Sequence, residues 1–135
     1  MFTCTLKADK FIQSSFRNIL INQFVNLSED NLFNIALATG EALQNIVRYG
    51  YQFRDHKEVR LTLVEHDKFF VIHIMDDAPY CPIESFMHRD ITPSDHGGMG
   101  LTIIRKLTHT FEIQPSNKGN TTILTFSIRQ MKSID

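Results

Sequence analysis

A glycine turn, Gly97-Gly98-Met99-Gly100, comes late in this chain of 135 residues, after two strands that a short loop joins. The strands are predicted from alternating apolar residues over 59–64 and from an apolar stretch over 68–75. A dinucleotide-binding domain instead has its glycine turn directly after the first strand, and it alternates strands with helices. The late turn therefore argues against that fold and favours a sheet built mostly from hairpin-connected strands.

The other predicted elements complete one compact domain. In chain order they are a strand over 1–7, helices over 9–25 and 28–50, a helix over 99–108, and strands over 110–115 and 121–128. We expect an α/β two-layer sandwich, in which a mixed, mostly antiparallel sheet carries helices on one face. Residues 1–135 are predicted to be a single domain because this length leaves no room for a second core.

The overall composition narrows the classes of partner. The formal net charge is −1, so the chain lacks the basic footprint of a protein whose principal partner is nucleic acid. No apolar stretch reaches transmembrane length, and the N-terminus does not resemble a secretion signal. We therefore expect a cytoplasmic protein without membrane contact. The only two cysteines, Cys4 and Cys81, have no metal-ligand spacing and are interpreted as small apolar residues.

Glu41 and Asn45 are four residues apart on a predicted helix, so both project from the same face. The amide oxygen of Asn45 is a suitable ligand for Mg²⁺, which keeps most of its waters and its phosphate ligands. The carboxylate of Glu41 is a suitable general base for an attacking hydroxyl. Taken alone, this pair is also typical of a solvated polar face.

Three further positions indicate a nucleotide site. Asp76 ends an apolar strand, where a carboxylate needs a donor such as the exocyclic amine of adenine, although a turn-forming Asp fits equally well. The glycine turn that contains Gly98 and Gly100 leads into a helix, whose free N–H groups favour a phosphate. Thr121 opens the last strand, and its hydroxyl is placed to support Asp76, directly or through water.

In this order the motifs resemble those of the anti-sigma-factor serine/threonine kinases, within the superfamily that also contains histidine kinases and type II topoisomerases. The resemblance covers about residues 9–128. It is carried by Glu41-Ala42, Asn45, Tyr49-Gly50-Tyr51, Asp76, Gly98-Met99-Gly100-Leu101 and Ile104-Arg105. It implies a histidine-kinase-like ATPase fold with Glu41 as catalytic base and Asn45 as magnesium ligand. It further implies that Asp76 binds adenine, that Gly98 and Gly100 bind the phosphates, and that Thr121 lies near the base.

The resemblance also implies ATP and Mg²⁺ as cofactors and a sigma factor or an anti-sigma antagonist as partner, and it is compatible with a homodimer. The leading hypothesis is a kinase that binds and phosphorylates this partner. A nucleotide-dependent binding switch without catalysis is the alternative, and a magnesium phosphohydrolase ranks last. The family usually has glycine where this chain has Ala78; a left-handed conformation there would cost an alanine about 1–2 kcal/mol. The segment 80–96 is predicted to be a lid that orders with ATP.

Overall fold

Residues 1–80 and 96–128, which the computed structural model describes, form five strands and three α-helices. The elements are β1 (Phe2–Lys7), α1 (Ile12–Gln23), α2 (Glu29–Asn45), a π-helical turn (Ile46–Gly50), β2 (Glu58–Glu65), β3 (Phe69–Asp76), α3 (His96–Leu107), β4 (Thr110–Ser116) and β5 (Gly119–Ser127). Most of the predicted lid at 80–96 lies outside the described residues, so that prediction stays open.

The five strands form one sheet in the order β1-β2-β3-β5-β4. Every neighbouring pair is antiparallel, so the sheet contains no parallel pair in the described part of the chain. This architecture confirms the predicted α/β sandwich with a mostly antiparallel sheet, and the strands in the described residues are all antiparallel. It also places the end of β3 beside the start of β5, because Asp76 pairs with Asn120.

One face of the sheet carries the core. Along β3 the buried residues are Phe70, Ile72, Ile74 and Asp76, whereas the residues between them are only partly buried. This alternation follows from the strand geometry, in which successive side chains point to opposite faces. The helices cover the buried face, since residues from all three helices join the strand residues in one apolar cluster, among them Phe16, Leu43 and Ile104.

Local sequence signals explain how α1 and α2 form. In α1, Ile12, Phe16 and Leu20 recur at helical spacing and are fully buried. At the start of α2 the Ser28 hydroxyl accepts a hydrogen bond from the Asn31 N–H at 3.1 Å and so caps the helix. None of the helices in the described ranges combines the length and hydropathy needed to cross a membrane.

Two element boundaries differ from the sequence predictions. Helix α3 begins at His96, whereas the sequence predicted Met99, so the glycine turn forms the beginning of the helix itself. Strand β5 begins at Gly119, whereas the sequence predicted Thr121, because only Asn117 and Lys118 separate the paired residues of the β4–β5 hairpin. The earlier start of β5 includes Asn120 in the strand.

Candidate nucleotide-binding site

Asp76 is the last residue of β3 and is 5% exposed. Its Oδ1 accepts two hydrogen bonds, from the Ala78 N–H at 2.9 Å and from Asn120 Nδ2 at 3.0 Å. Burial raises the pKa of the Asp76 carboxyl above its ordinary value, and these two hydrogen bonds oppose that rise. The charge of Asp77 raises the pKa further, whereas Arg60 lowers it. The carboxylate thus keeps Oδ2 available in an environment that weakens its hydration.

A pocket opens next to Asp76, at the point where the C-terminal end of α2 meets the ends of β3, β4 and β5. Its lining residues are Ala42, Asn45, Ile46, Gly50, Asp76, Pro79, Phe111, Ile113, Asn120 and Thr122. The lining combines a carboxylate, two amides and a hydroxyl with apolar walls, which is typical of small-molecule sites. The described pocket has a volume of about 40 Å³, which is well below the roughly 300–1,000 Å³ of typical ligand sites.

The structure brings Asn45 to this pocket and places Glu41 one helical turn away. Asn45 is buried and lines the pocket together with Asp76. Glu41 contacts the beginning of α3, since a Cβ built on Gly100 would lie 2.6 Å from its Oε2. Gly98 belongs to the same first part of α3. The predicted base, magnesium ligand, adenine ligand and phosphate turn thus belong to adjoining elements.

The described residues near the pocket offer few ligands for a metal ion. They contain no group of three or more Asp, Glu, His or Cys side chains able to hold a metal ion by themselves. Asn45 supplies a single neutral oxygen, which fits Mg²⁺ only when waters and phosphate oxygens complete its six ligands. The residues present therefore fit a magnesium ion that arrives with a nucleotide, and they do not form a metal site on their own.

Thr121 is not brought to the pocket. It pairs with Met75 and Gln114 and lies on the face of the sheet opposite Asp76. Asn120 and Thr122 line the pocket instead, and both are buried. The sequence prediction missed Asn120 because it began β5 at Thr121, and it missed Thr122 because it did not follow the alternation of the strand. The signal was nevertheless present, since Asn120 and Thr122 share the parity of the apolar residues that follow them in β5.

Gly119 fixes the close approach of β5 to the end of β3. Its φ is +144°, and a Cβ at this position would overlap the backbone carbonyl of Asp76. Any other residue would meet both a strained conformation and a steric clash. Gly119 therefore allows Asn120 to reach the Asp76 carboxylate.

Ala78 does not carry the conformational cost that its position suggested. The non-glycine residues with positive φ in the described part of the chain are Gln52, Phe53 and His56, and Ala78 is not among them. Its methyl group is buried against Gly50, where an added Cβ would lie 3.1 Å from the Ala78 Cβ. The alanine thus fits because Gly50 leaves room for it.

Tyr51 connects the pocket edge to β2. Its buried hydroxyl donates to the Glu58 carbonyl at 2.6 Å and accepts from the Asp77 N–H at 2.9 Å. These two hydrogen bonds satisfy a carbonyl of β2 and the backbone N–H that directly follows β3. They hold the residue after Asp76 in place and so help to fix the pocket rim.

With this geometry described, comparison with known families assigns the class. Residues 8–126 match the model of the histidine kinase-like ATPase domain, and the chain belongs to that family. An ATPase domain implies that the chain binds ATP. A comparison with curated protein sequences finds no significant match.

Solved structures agree on the fold. The RsbU and RsbW domains of Rv1364c from Mycobacterium tuberculosis match with a TM-score of 0.64 and 15% identity, over 100% of this chain and 35% of that one. The histidine kinase domain of the Erythrobacter litoralis EL346 blue-light activated histidine kinase matches with a TM-score of 0.53 and 17% identity, over 73% and 45%. Acinetobacter baumannii histidine kinase AdeS matches with a TM-score of 0.54 and 12% identity, over 96% of this chain and 69% of that one. The chain thus spans less than half the length of the first two.

Proposed function

We propose that this chain is an ATP-dependent serine/threonine protein kinase of the anti-sigma-factor type. It acts in the cytoplasm on a sigma factor or an anti-sigma antagonist, which it binds and phosphorylates. The observation that carries the proposal is the contact between Glu41 and Gly100, one helical turn from the pocket that Asn45 and Asp76 line. It joins a candidate base to the helix start where phosphates are expected.

Each residue has a defined task in this reaction. Asp76 accepts a hydrogen bond from the exocyclic amine of the base, and the N–H groups at the start of α3, around Gly98 and Gly100, bind the phosphates. Asn45 offers its amide oxygen to the magnesium ion, which supplies charge neutralisation at the phosphates when it is bound. Glu41 accepts the proton of a partner's Ser or Thr hydroxyl as this oxygen attacks the γ-phosphorus. The bond to the ADP leaving group then breaks.

A groove between α1 and α2 supports the partner-binding part of the proposal. It leads to Glu41 and is lined by Arg17, Leu32, Phe33 and Leu37, among others. Phe33 is 62% exposed, so its ring is available for contact with a partner. An extended segment of a partner protein that lies in this groove would bring a hydroxyl toward the Glu41 carboxylate.

Two measurements test the proposal. Calorimetric titration with ADP and ATP, with and without Mg²⁺, is expected to show magnesium-dependent binding. Incubation with γ-labelled ATP and the proteins encoded by neighbouring genes is expected to give an acid-stable phosphoprotein, as phosphoserine and phosphothreonine are. An acid-labile product would identify a histidine kinase instead, and absence of nucleotide binding would contradict the proposal altogether.

A nucleotide-dependent binding switch is the second candidate. The small volume of the described pocket favours it, because a base that binds there would displace surrounding residues. Nucleotide occupancy would then change the surface that a partner meets. Tight nucleotide binding with no transfer to any partner, together with nucleotide-dependent complex formation, would select the switch over the kinase.

A further inference from the structure

The side chain of Asn120 is oriented by two hydrogen bonds that it donates. Its Nδ2 donates to Asp76 Oδ1 at 3.0 Å and to the Ala78 carbonyl at 3.0 Å. Both partners are acceptors, so the opposite orientation of the amide would place its oxygen against two oxygens. The network therefore fixes which end of the amide is Nδ2 and which is Oδ1.

The remaining atom, Asn120 Oδ1, is buried and has no hydrogen-bond partner among the described residues. Asn120 as a whole is 9% exposed and lines the pocket beside Asp76. A buried acceptor without a donor is costly, and native structures rarely leave one without a reason. Both hydrogen bonds of the Asp76 carboxylate go to its Oδ1, which leaves Oδ2 as a second acceptor nearby.

We propose that Asn120 is a specificity-determining residue for the base, an inference that rests on the proposed binding of an adenine nucleotide. Its Oδ1 and the Oδ2 of Asp76 form a pair of acceptors that together receive the two hydrogens of an exocyclic amine. A purine with a carbonyl at the same ring position presents a third acceptor to this pair and is rejected. Asn120 thus both positions the Asp76 carboxylate and selects 6-aminopurines.

This arrangement makes a prediction that Asp76 alone does not make. Recognition by one carboxylate uses a single hydrogen of the amine, and the other hydrogen is free to be replaced. Recognition by the pair uses both hydrogens. N6-methyl-ADP, which keeps one hydrogen, is therefore expected to bind the unmodified protein about tenfold more weakly than ADP, the usual scale for one lost hydrogen bond. Equal affinity for ADP and N6-methyl-ADP would overturn the proposal without any mutation.

The second experiment compares ADP with inosine diphosphate, in which a carbonyl replaces the amine. Calorimetry on Asn120→Leu is expected to show ADP affinity reduced about tenfold and inosine diphosphate affinity unchanged or improved, so that the ratio of the two affinities falls. Thr121→Val is the matched control, because Thr121 adjoins Asn120 but lies on the opposite sheet face. It is expected to change neither affinity.

The possible outcomes separate this proposal from the proposed function. Thermal unfolding first shows whether Asn120→Leu is intact. If the intact variant loses affinity for ADP and inosine diphosphate equally, or keeps both affinities unchanged, Asn120 does not determine specificity. If Asn120→Leu does not fold, the N6-methyl-ADP measurement decides alone. If the unmodified protein binds neither diphosphate, the proposed function itself is wrong.

Discussion

The carboxylate of Glu41 occupies the space in front of Gly100, at the beginning of α3. A Cβ built on Gly100 would lie 2.6 Å from Glu41 Oε2, so glycine leaves room for this carboxylate. Helix α2, which carries Glu41, also carries Asn45 into the pocket. Two helices therefore hold all three parts together: α2 carries the candidate base and lines the pocket, and α3 begins with the candidate phosphate turn.

Glu41→Gln is expected to separate binding from catalysis. The amide has nearly the same shape, so ADP affinity is expected to stay within about twofold, whereas the amide cannot accept a proton at neutral pH. Phosphoryl transfer to the partner is then expected to fall by about 10²–10⁴, the usual contribution of a general base. Calorimetry and single-turnover transfer with labelled ATP measure the two quantities. Transfer at the rate of the unmodified protein would remove Glu41 from the mechanism.

Phe33→Ala is expected to weaken binding of the partner without changing the affinity for the nucleotide. Truncation of an exposed aromatic anchor in the α1–α2 groove is expected to lower partner affinity by about 1–2 kcal/mol. Phe53→Ala is the matched control, because Phe53 is 64% exposed, close to the 62% of Phe33, and does not line this groove. Equal partner affinity for the two variants, measured by calorimetry, would show that the groove is not the docking surface.

Gly50 and Ala78 are expected to show strong energetic coupling. Gly50→Ala adds a methyl group 3.1 Å from the Ala78 Cβ, and crowding of this kind costs about 1–3 kcal/mol. In the double variant Gly50→Ala/Ala78→Gly, the crowding disappears, so a coupling of about 1 kcal/mol or more is expected from urea unfolding of all four proteins. Additive costs would show that the two positions are independent.

Asp76→Asn is expected to stabilise the protein while it weakens nucleotide binding. The pKa of Asp76 is raised by burial, so its ionised form destabilises the folded state at neutral pH. An asparagine Oδ1 keeps both hydrogen bonds, from Ala78 and Asn120, without the charge. We expect a rise in Tm of about 2–5 °C and a loss of ADP affinity of about 1–3 kcal/mol. Unchanged ADP affinity would contradict the adenine assignment.

The raised pKa of Asp76 also predicts how ADP affinity depends on pH. Only the ionised carboxylate accepts from the amine with full strength, so affinity is lost as the pH falls through the raised pKa. The loss therefore begins at a higher pH than for an ordinary aspartate, whose pKa is about 3.9. Burial and Asp77 raise the pKa, while Asn120, the Ala78 N–H and Arg60 lower it.

Stability changes with pH in the opposite direction. A raised pKa in the folded state contributes stability that is present below the unfolded pKa and is lost as the pH rises through the folded pKa. Calorimetry and thermal unfolding between about pH 4 and about pH 8 measure both effects. Asp76→Asn is the control, since its profile contains only the titration of ADP and of the other groups. Identical profiles for the two proteins would show that Asp76 does not titrate in the nucleotide site.

The sequence predicted the fold well because its signals are local and periodic. The alternating residues of β2 and the apolar stretch of β3 depend on neighbours in the chain, and the structure confirms both strands. The late glycine turn excluded the wrong topology before any strand pairing was known. The resemblance then supplied the candidate residues Glu41, Asn45 and Asp76.

The details of the pocket rim required the structure. The alternation of β5 places Asn120 and Thr122 on the buried face, but which of the two lies opposite Asp76 depends on the register between β3 and β5. The fit of Ala78 depends on Gly50, which is 28 positions earlier in the chain. Contacts between residues so distant in sequence leave no periodic pattern.

The π-helical turn sets the angle at which two parts of the pocket meet. Its hydrogen bond from the Tyr51 N–H to the Ile46 carbonyl, at 2.7 Å, spans five residues. An uninterrupted α-helix would place Asn45 and Gly50 about 140° apart around its axis, yet both line the same pocket. The number of residues between Asn45 and Gly50 therefore determines the angle between them around the helix axis. Removing Val47, Arg48 or Tyr49 would rotate Gly50 and the chain beyond it relative to Asn45, although every residue that lines the pocket would remain.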